Sequence, residues 1–314
     1  QLFAGTFPRP NFPDFPADPS LDRNTRRLSV YGLTRLNIAD PLKIMFGASY
    51  THAQSKGISY GEPQNYDHKK FLPFVGATLA LTPAINAYAS YAKIFNPQTT
   101  RDAQNVLFPP VQGNNLEAGV KGEWFGGGLF ASAAVFRVHQ NNNAVQTGIN
   151  PTTFQAIYVT QDAKSEGAEI EVGGSPLPGL QATGGLTFLR LKLADRAGPA
   201  RTFVPRNVGR LNVTYSPPSL PALKVGTSVQ YQSRIYYDTS DYFGAALVTG
   251  LNGRITQGGY ALVDLFGAYD LTEHVRLGVN VRNVTNKNYL SSLTFTQSYY
   301  GAPRTVLGTV TVRY

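Results

Sequence analysis

Apolar and polar side chains alternate along many segments of this chain. Since successive side chains of a β-strand point to opposite faces, each such segment predicts a strand with one apolar and one polar face. The pattern is clearest at the C-terminal end, where Val310, Val312 and Tyr314 alternate with Thr309, Thr311 and Arg313. It recurs at residues 42–51, 116–124, 168–172, 223–231 and 275–282, and the charged residues of these segments fall on the polar face.

The connections between the predicted strands are of two kinds that take turns. Short ones rich in turn-forming residues lie at 38–41, 81–84, 125–128, 173–179, 216–222 and 270–273. Long ones lie at 53–71, 94–114, 140–163, 190–206, 233–257 and 285–302. Regular alternation of short turns and long loops is typical of a transmembrane antiparallel β-barrel, whose tilted strands need only about 9–11 residues to cross a bilayer.

The pattern predicts an all-β protein with about 13 strands. Residues 1–25 are predicted to be an extracellular loop remnant, and residues 26–314 the barrel strands with their loops. Because a closed bacterial barrel has an even number of strands and lipid tolerates no open edge, we expect further strands from sequence outside this chain.

Composition excludes several other classes. The chain has 314 residues, of which 42% are hydrophobic and only 15% charged, and it contains no apolar run near the roughly 18 residues of a spanning helix. It has no cysteine, which excludes disulfides and thiolate metal sites. The net charge of +9 is spread along the chain and forms no block, so we expect no nucleic-acid partner.

Several segments resemble the C-terminal part of the TonB-dependent outer-membrane receptors, ferric-siderophore branch. They are AINAYASYAKIFNPQT (84–99), NNLEAGVKGEW (114–124), SEGAEIEVGG (165–174), GGYALVDLFGAYDLTEHVRLGVNVRNVTNKNYL (258–290) and YYGAPRTVLGTVTVRY (299–314). The resemblance implies the C-terminal portion of the barrel, about 13 of about 22 strands, with the plug domain that fills the lumen absent from this chain.

The resemblance also implies a function and a set of partners. The parent protein is expected to take up a ferric siderophore across the bacterial outer membrane, with energy from the TonB complex acting through the missing plug region. Iron is expected to enter as a siderophore chelate, so no cofactor, protein metal site or enzymatic activity is predicted. The other expected partners are the missing N-terminal plug and strands, and the lipid and lipopolysaccharide of the outer membrane.

Candidate site residues fall into three sets. For ligand binding on extracellular loops or in the lumen we select aromatic residues and one cation, Tyr236, Tyr237, Tyr299, Tyr300, Phe95, Tyr158 and Arg234. Charges of the polar face are predicted to face the lumen and the plug: Glu117, Lys121, Glu123, Glu169, Glu171, Arg276 and Arg282. Val310, Val312 and Tyr314 are predicted to face lipid and, by the resemblance, to carry the barrel-assembly signal.

Four alternatives remain open at this stage. The loop tyrosines could instead mark the outer membrane interface or touch lipopolysaccharide. The barrel could be a passive porin, or a receptor of the same family for cobalamin or a glycan. An outer-membrane enzyme would need a nucleophile, a base and an acid near the rim, and none is recognisable. A soluble protein with two sheet domains is the fourth alternative.

Overall fold

The computed structural model describes residues 20–150, 152, 155–194, 201–238, 253–294 and 297–314, and every regular element in these ranges is a β-strand. The strands are β1 (Leu21–Asn37), β2 (Leu42–Ser59), β3 (Glu62–Pro63), β4 (Tyr66–Ala80), β5 (Ile85–Asn96), β6 (Val111–Trp124), β7 (Leu129–Ile149), β8 (Ala156–Leu177), β9 (Leu180–Leu193), β10 (Asn207–Tyr215), β11 (Leu223–Gln232), β12 (Ile235–Asp238), β13 (Arg254–Gln257), β14 (Tyr260–Asp270), β15 (Val275–Arg282), β16 (Leu290–Thr294), β17 (Gln297–Tyr300) and β18 (Thr305–Val312). None of the described segments forms a helix long and apolar enough to cross a membrane.

Thirteen of these strands follow one another in a single antiparallel sheet. Their order is β1-β2-β4-β5-β6-β7-β8-β9-β10-β11-β14-β15-β18, and β3 adds to the end of β2. The hairpins β12–β13 and β16–β17 stand outside this sheet. The predicted up-and-down sheet of about 13 strands is therefore confirmed, and the two hairpins occupy the connections predicted at 233–257 and 285–302.

The register assigns each side chain to one of two faces. Leu277 lies opposite Val310, and Arg276 lies opposite Thr311. Because opposed residues of an antiparallel pair project to the same side, this assignment passes from strand to strand. We call the face with Leu277 and Val310 the apolar face and the face with Arg276 the polar face. Val310 and Val312 are exposed on the apolar face, and Tyr314 lies just beyond β18.

Two of the short turns are closed by a threonine hydroxyl. Thr82 Oγ1 accepts hydrogen bonds from the N–H groups of the second and third residues after it, at 3.2 and 3.0 Å. Thr272 Oγ1 does the same in the last short turn, at 3.2 and 3.1 Å. Each hydroxyl thus accepts from two backbone N–H groups within its own turn, and both turns contain a Leu-Thr pair.

Aromatic rings on the polar face cover glycines of the neighbouring strand. The ring–glycine pairs are Phe74 with Gly47, Tyr88 with Gly119, Phe136 with Gly167 and Phe266 with Gly226. A Cβ added at Gly119 would lie only 2.9 Å from the Tyr88 ring. Each ring thus fills the space that a missing side chain leaves in the strand, a recurrent device for stiffening a curved sheet.

The strands extend further than the sequence pattern predicts at the end opposite the short turns. Strand β2 continues to Ser59, and β7 and β8 continue through most of the segment predicted as the loop 140–163. Strand β1 begins at Leu21, inside the segment 1–25 that was assigned to a loop, while residues 1–19 lie outside the described part. These extensions carry polar residues at both sets of alternate positions, so alternation could not reveal them.

Charges also stand on the apolar face, contrary to the expectation that they occupy the polar face alone. They lie toward the ends of the strands opposite the short turns. On β5, β7, β8 and β9 they include Lys93, Arg137, Asp162, Lys164, Glu166, Arg190 and Lys192, and on β1, β2 and β4 they include Asp22, Arg26, Lys56, Asp67 and Lys69. The expectation was drawn from shorter segments, in which these positions were not included.

Candidate functional site

A tyrosine and a carboxylate form the centre of a cluster on the polar face. Tyr88 of β5 donates its hydroxyl to Glu117 Oε1 of β6 at 2.5 Å. The Lys121 ammonium lies 4.7 Å from the centroid of the Tyr88 ring, within the range of a cation–π contact. The structure thus brings the predicted residues Glu117 and Lys121 together through Tyr88, which the sequence analysis did not select.

The two glutamates of β8 extend this cluster sideways. Glu169 lies opposite Thr187, whose hydroxyl donates to its Oε1 at 3.4 Å. Glu171 shares a row across the sheet with Ser132 and Lys121 on one side and with Gly185 and Arg210 on the other. Glu123 lies on the same face of β6 as Glu117 and is exposed.

The row between Glu171 and Arg210 contains a hollow. Its volume is about 490 Å³, and Phe130, Gly185 and Thr187 line it together with the two charged residues. Gly185 has no side chain to fill the space between the carboxylate and the guanidinium. Glu171 and Arg210 thus lie on opposite sides of the hollow. A polar segment of protein with one positive and one negative side chain could pair with both.

At the short-turn end of the sheet, Arg276 of β15 is held by an acidic residue. Its guanidinium donates to both carboxylate oxygens of Asp270, at 2.6 and 2.7 Å. Arg282, the last residue of the same strand, lies on the same face opposite Thr305. Both predicted residues therefore occupy the polar face, and Arg276 serves to fix the turn between β14 and β15.

The hairpin β12–β13 carries two of the predicted loop aromatics, Tyr236 and Tyr237, and two arginines lie close to the Tyr236 ring. The Tyr236 ring lies 4.2 Å from the Arg254 guanidinium carbon and 5.9 Å from that of Arg234. Arg254 also donates to both oxygens of Asp238, at 2.6 and 2.9 Å. Tyr237 packs against Phe203, with 6.0 Å between ring centroids. We call the hairpin β12–β13, with Arg234 and Phe203, the Tyr–Arg cluster.

A further cation, Arg206, stands near this cluster. Burial lowers the pKa of its guanidinium, while the neighbouring Tyr236 acts in the opposite direction. Arginine keeps its charge across the physiological range even so. The Tyr–Arg cluster therefore offers aromatic surface with positive charge beside it, the combination that recognises planar anionic groups.

The second hairpin, β16–β17, carries Tyr299 and Tyr300, which are 56% and 82% exposed. It touches strand β12, and Gln257 of β13 accepts a hydrogen bond from the Leu290 N–H at 2.7 Å. The two segments that the sequence analysis selected separately are thus neighbours. Gln257 joins them, and no motif of its segment had indicated this role.

Asn283 anchors the chain that leads to this hairpin. It is only 4% exposed, and its side-chain amide donates to the carbonyls of Lys287 and Ala302 at 2.9 and 3.1 Å. Its Oδ1 accepts from the Lys287 N–H at 2.8 Å, and Asp264 accepts from its backbone N–H at 2.8 Å. The residue has a φ of 49°, in the left-handed region that asparagine tolerates better than most residues.

Two of the selected aromatics, Phe95 and Tyr158, lie outside the two hairpins. Phe95 is only 7% exposed and packs edge-on against His68, with 6.4 Å between ring centroids, so this side chain is part of a small core and its role as a ligand contact stays a prediction. By alternation along β8, Tyr158 shares the apolar face with Lys164 and Glu166. It therefore points away from the face that carries Glu169 and Glu171.

The chemistry of these clusters is that of binding. Within the described ranges, no group of three or more His, Asp or Glu side chains is arranged to hold a metal ion. The groups present are carboxylates, guanidinium and ammonium groups, amides and aromatic rings, which recognise ligands through charge, hydrogen bonds and stacking.

Comparison with known proteins shows which family this chain is similar to. The family model "TonB dependent receptor-like, beta-barrel" matches residues 3–284. The ferripyoverdine receptor of Pseudomonas aeruginosa is 31% identical over 300 residues, which cover 91% of this chain and 35% of the receptor. The ferrioxamine B receptor of Salmonella typhimurium is 30% identical over 71% of this chain and 31% of its own length.

Solved structures agree in fold. The crystal structure of the ferripyoverdine receptor of the Pseudomonas aeruginosa outer membrane, bound to ferripyoverdine, has a TM-score of 0.81 at 30% identity and covers 92% of this chain and 39% of that one. The alcaligin outer-membrane receptor of Bordetella pertussis has a TM-score of 0.67 at 25% identity. The chain spans about a third of the length of the curated relatives it matches.

The sheet is part of the wall of a transmembrane antiparallel β-barrel, with the apolar face toward lipid and the polar face toward the lumen. The chain belongs to the TonB-dependent receptors of the Gram-negative outer membrane, and the relatives named here are siderophore receptors.

Proposed function

We propose that the full-length protein takes up a ferric siderophore across the outer membrane. The observation that carries the proposal is the contact between the Tyr–Arg cluster and the hairpin β16–β17, because the hairpin with Tyr236 and Tyr237 thereby lies next to the hairpin with Tyr299 and Tyr300. The relatives support it, since the names of two of them specify ferripyoverdine and ferrioxamine B as ligands.

The chemistry of this region fits an anionic or strongly polar chelate. The guanidinium carbons of Arg254 and Arg234 lie 4.2 and 5.9 Å from the centroid of the Tyr236 ring. Aromatic rings supply contact area at low entropic cost, and guanidinium groups pair with hydroxamate, carboxylate or catecholate oxygens. Iron would arrive already ligated by the siderophore's oxygens, so the protein would need neither a metal ligand of its own nor a covalent step.

The cluster around Tyr88 would hold the plug domain and would not bind the siderophore. Glu117, Glu169 and Glu171 line the lumen, where a plug domain supplied by other sequence would lie, and Arg210 offers a cation across the notch. Hydrated ion pairs can exchange partners at low cost, so a plug seated on them could shift when TonB pulls on it. Energy from TonB is inferred from the family.

Uptake of radioactive iron tests the proposal directly. Cells that lack the gene and cells that express the full-length protein would be given ⁵⁵Fe complexes of purified hydroxamate, catecholate and mixed siderophores under iron limitation. At least one complex should enter only the expressing cells, and an uncoupler that abolishes the proton gradient should stop its entry. Equal uptake with and without the gene for every complex would overturn the proposal.

A pair of variants locates the site. Tyr236→Ala combined with Arg254→Gln should weaken binding of the transported complex by about tenfold or more, since hot-spot aromatic and Arg side chains contribute at least about 2 kcal/mol at interfaces. Tyr269→Ala is the matched control, because this tyrosine lies on the apolar face near the short turns. Equal affinity in both variants would place the binding site elsewhere.

A further inference from the structure

The polar face of β1, β2 and β4 carries positive charge alone. Lys43 lies in one row with Thr78 and Tyr88, so these strands share the polar face of the Tyr88 cluster. Both acidic residues of the three strands, Asp22 and Asp67, belong to the apolar face. We call this part of the wall the cationic arc, and its charged residues are Arg23, Arg27, Arg35, Lys43 and Lys70. Glu62 of β3 lies beyond the arc, at its outer tip, opposite Ser59.

The neighbouring part of the same face has the opposite charge. Strand β5 separates the two parts and has no charged side chain on the polar face. We call the polar face of β6, β7 and β8 the acidic arc, and its charged residues are Glu117, Lys121, Glu123, Glu169 and Glu171. Charges of one sign that line a cleft concentrate ions of the opposite sign. An anion in the lumen is therefore drawn toward β1, β2 and β4 and repelled by the acidic arc.

The charges of the cationic arc are not neutralised by the rest of the described chain. Lys43 lies between Asn37 and Thr78, and Lys70 lies beside Thr51, so the neighbours of both lysines in their rows are uncharged. None of the five cations of the arc forms an ion pair with a described residue. Their charge is thus available to a partner or ligand in the lumen.

Two further polar side chains of the arc have unused hydrogen-bonding capacity. Ser55 is only 1% exposed, and its Oγ atom has no hydrogen-bond partner among the described residues. The Nε2 atom of His68, in the same row as Arg27, is buried and also has none within the described ranges. A buried polar group without a partner is costly. A hydroxyl and an imidazole N–H can both donate to an oxyanion, so these atoms add to the preference of the arc for negative charge.

The cations extend along most of the wall. Arg27 and Lys70 stand in successive rows of the polar face toward the outer end, and Arg35 and Lys43 stand in successive rows near the short turns. The eight-residue step from Arg27 to Arg35 corresponds to about 27 Å of extended strand. The hydrocarbon core of a bilayer is about 30 Å thick. A path along these side chains therefore crosses most of the membrane.

We propose that the ferric chelate carries net negative charge and passes through the lumen along the cationic arc, from Arg27 and Lys70 to Arg35 and Lys43. The inference rests on the proposed siderophore uptake, and it adds the charge of the substrate and the side of the lumen that the substrate follows. Guanidinium and ammonium groups pair with the outward-facing oxygens of an anionic chelate. Several such sites in succession, each of moderate affinity, allow an ion to enter and to leave again.

The test measures ⁵⁵Fe uptake by cells that express the full-length protein. The probes are an anionic tricatecholate complex, a neutral cyclic trihydroxamate complex, and a linear trihydroxamate complex whose terminal amine is left free or succinylated, so that the same iron centre is cationic or anionic. The complex that enters fastest should be anionic. If a neutral or cationic complex enters fastest, the inference is wrong although uptake itself stands. If no complex enters, the proposed uptake fails as well.

A pair of double variants locates the path. Lys43→Gln combined with Lys70→Gln should lower the uptake rate of the fastest complex by about tenfold, the lower end of the effect of charge-lined clefts on the local concentration of ions. Its binding to cells whose proton gradient has been collapsed should not change. Lys56→Gln combined with Lys69→Gln is the matched control, because it removes the same charge from the apolar face of the same two strands. Equal uptake by the two double variants would overturn the inference.

The competing explanation is that these lysines hold the plug. A loosened plug would admit large antibiotics, so the sensitivity of the cells to vancomycin should be the same for both double variants and the wild type. Greater sensitivity in Lys43→Gln with Lys70→Gln would assign the two lysines to the plug and refute the path. Lys43→Arg combined with Lys70→Arg keeps the charge and should restore uptake. Each variant is first checked for the heat-dependent shift in gel mobility that reports a closed barrel.

Discussion

Replacement of Asn283 by alanine should release the chain that carries Tyr299 and Tyr300. The side chain makes three hydrogen bonds, two to carbonyls and one from the Lys287 N–H. Each contributes about 0.5–1.5 kcal/mol net, so their loss costs roughly 2–4 kcal/mol. Alanine would also have to adopt the φ of 49°, which costs about 1 kcal/mol or more in an L-residue without a short polar side chain.

The expected effect is local. Residues 283–304 connect β15 to β18 outside the main sheet, so the ladder between these two strands should survive. Hydrogen exchange of the full-length protein in detergent, followed by mass spectrometry, should show amides of this segment exchanging about 100-fold faster, the factor that corresponds to about 3 kcal/mol of opening free energy. Affinity for the transported siderophore should fall in parallel.

Asn286→Ala is the matched control. Asn286 has nearly the same backbone conformation, with a φ of 51°, but its side chain accepts one hydrogen bond, from the Arg304 N–H at 3.0 Å, at an exposed position. Its replacement should accelerate exchange much less. If exchange in Asn283→Ala stays within about twofold of the wild type, or if both variants respond equally, the hydrogen bonds of Asn283 are not what orders the segment.

Three further variants test the wall. Gly119→Ala should destabilise the barrel by about 1–3 kcal/mol because the new methyl group meets the carbonyl oxygen of Ala133 and the Tyr88 ring, whereas Gly32→Ala, with open space around it, should be neutral in thermal unfolding. Glu169→Gln combined with Glu171→Gln should leave siderophore binding to cells intact and reduce ⁵⁵Fe uptake, with Glu273→Gln as the control; equal uptake would argue against a plug seat at this cluster. Thr272→Ala should cost about 1 kcal/mol in the last short turn, and Thr272→Ser, which keeps the hydroxyl, should restore most of it in the same unfolding measurement.

Sequence patterns predicted the wall well because its physics is local. A strand that faces lipid on one side and water on the other must alternate, so the faces of Leu277, Arg276 and Val310 could be read from their spacing. Beyond the membrane both faces meet water, and the constraint disappears. The outer parts of β2, β7 and β8 and the first residues of β1 were therefore predicted as loops although they are strands.

The binding region was only partly predictable for a related reason. Tyr236 and Tyr299 were selected for their residue type, but the contact between their hairpins depends on Gln257 and Asn283, whose partners lie 33 and up to 19 residues away in sequence. Tyr88 was missed because nothing in its own segment distinguishes it from other strand aromatics. Its role follows from Gly119 and Glu117, which the register alone brings beside it.

A wall one strand thick has consequences for how substitutions act. Few side chains in the described part are fully buried, Leu293, Thr51 and Ser55 among them, so stability cannot come from a thick core and rests instead on the ladder, the ring–glycine pairs and the turns. Neighbouring residues of one strand belong to different environments, one lipid and the other lumen. Arg137 and Phe136 are adjacent in β7, yet Arg137 lies on the apolar face and Phe136 covers Gly167 on the polar face. The face of a residue, more than its position along the chain, therefore decides which side of the wall its replacement affects.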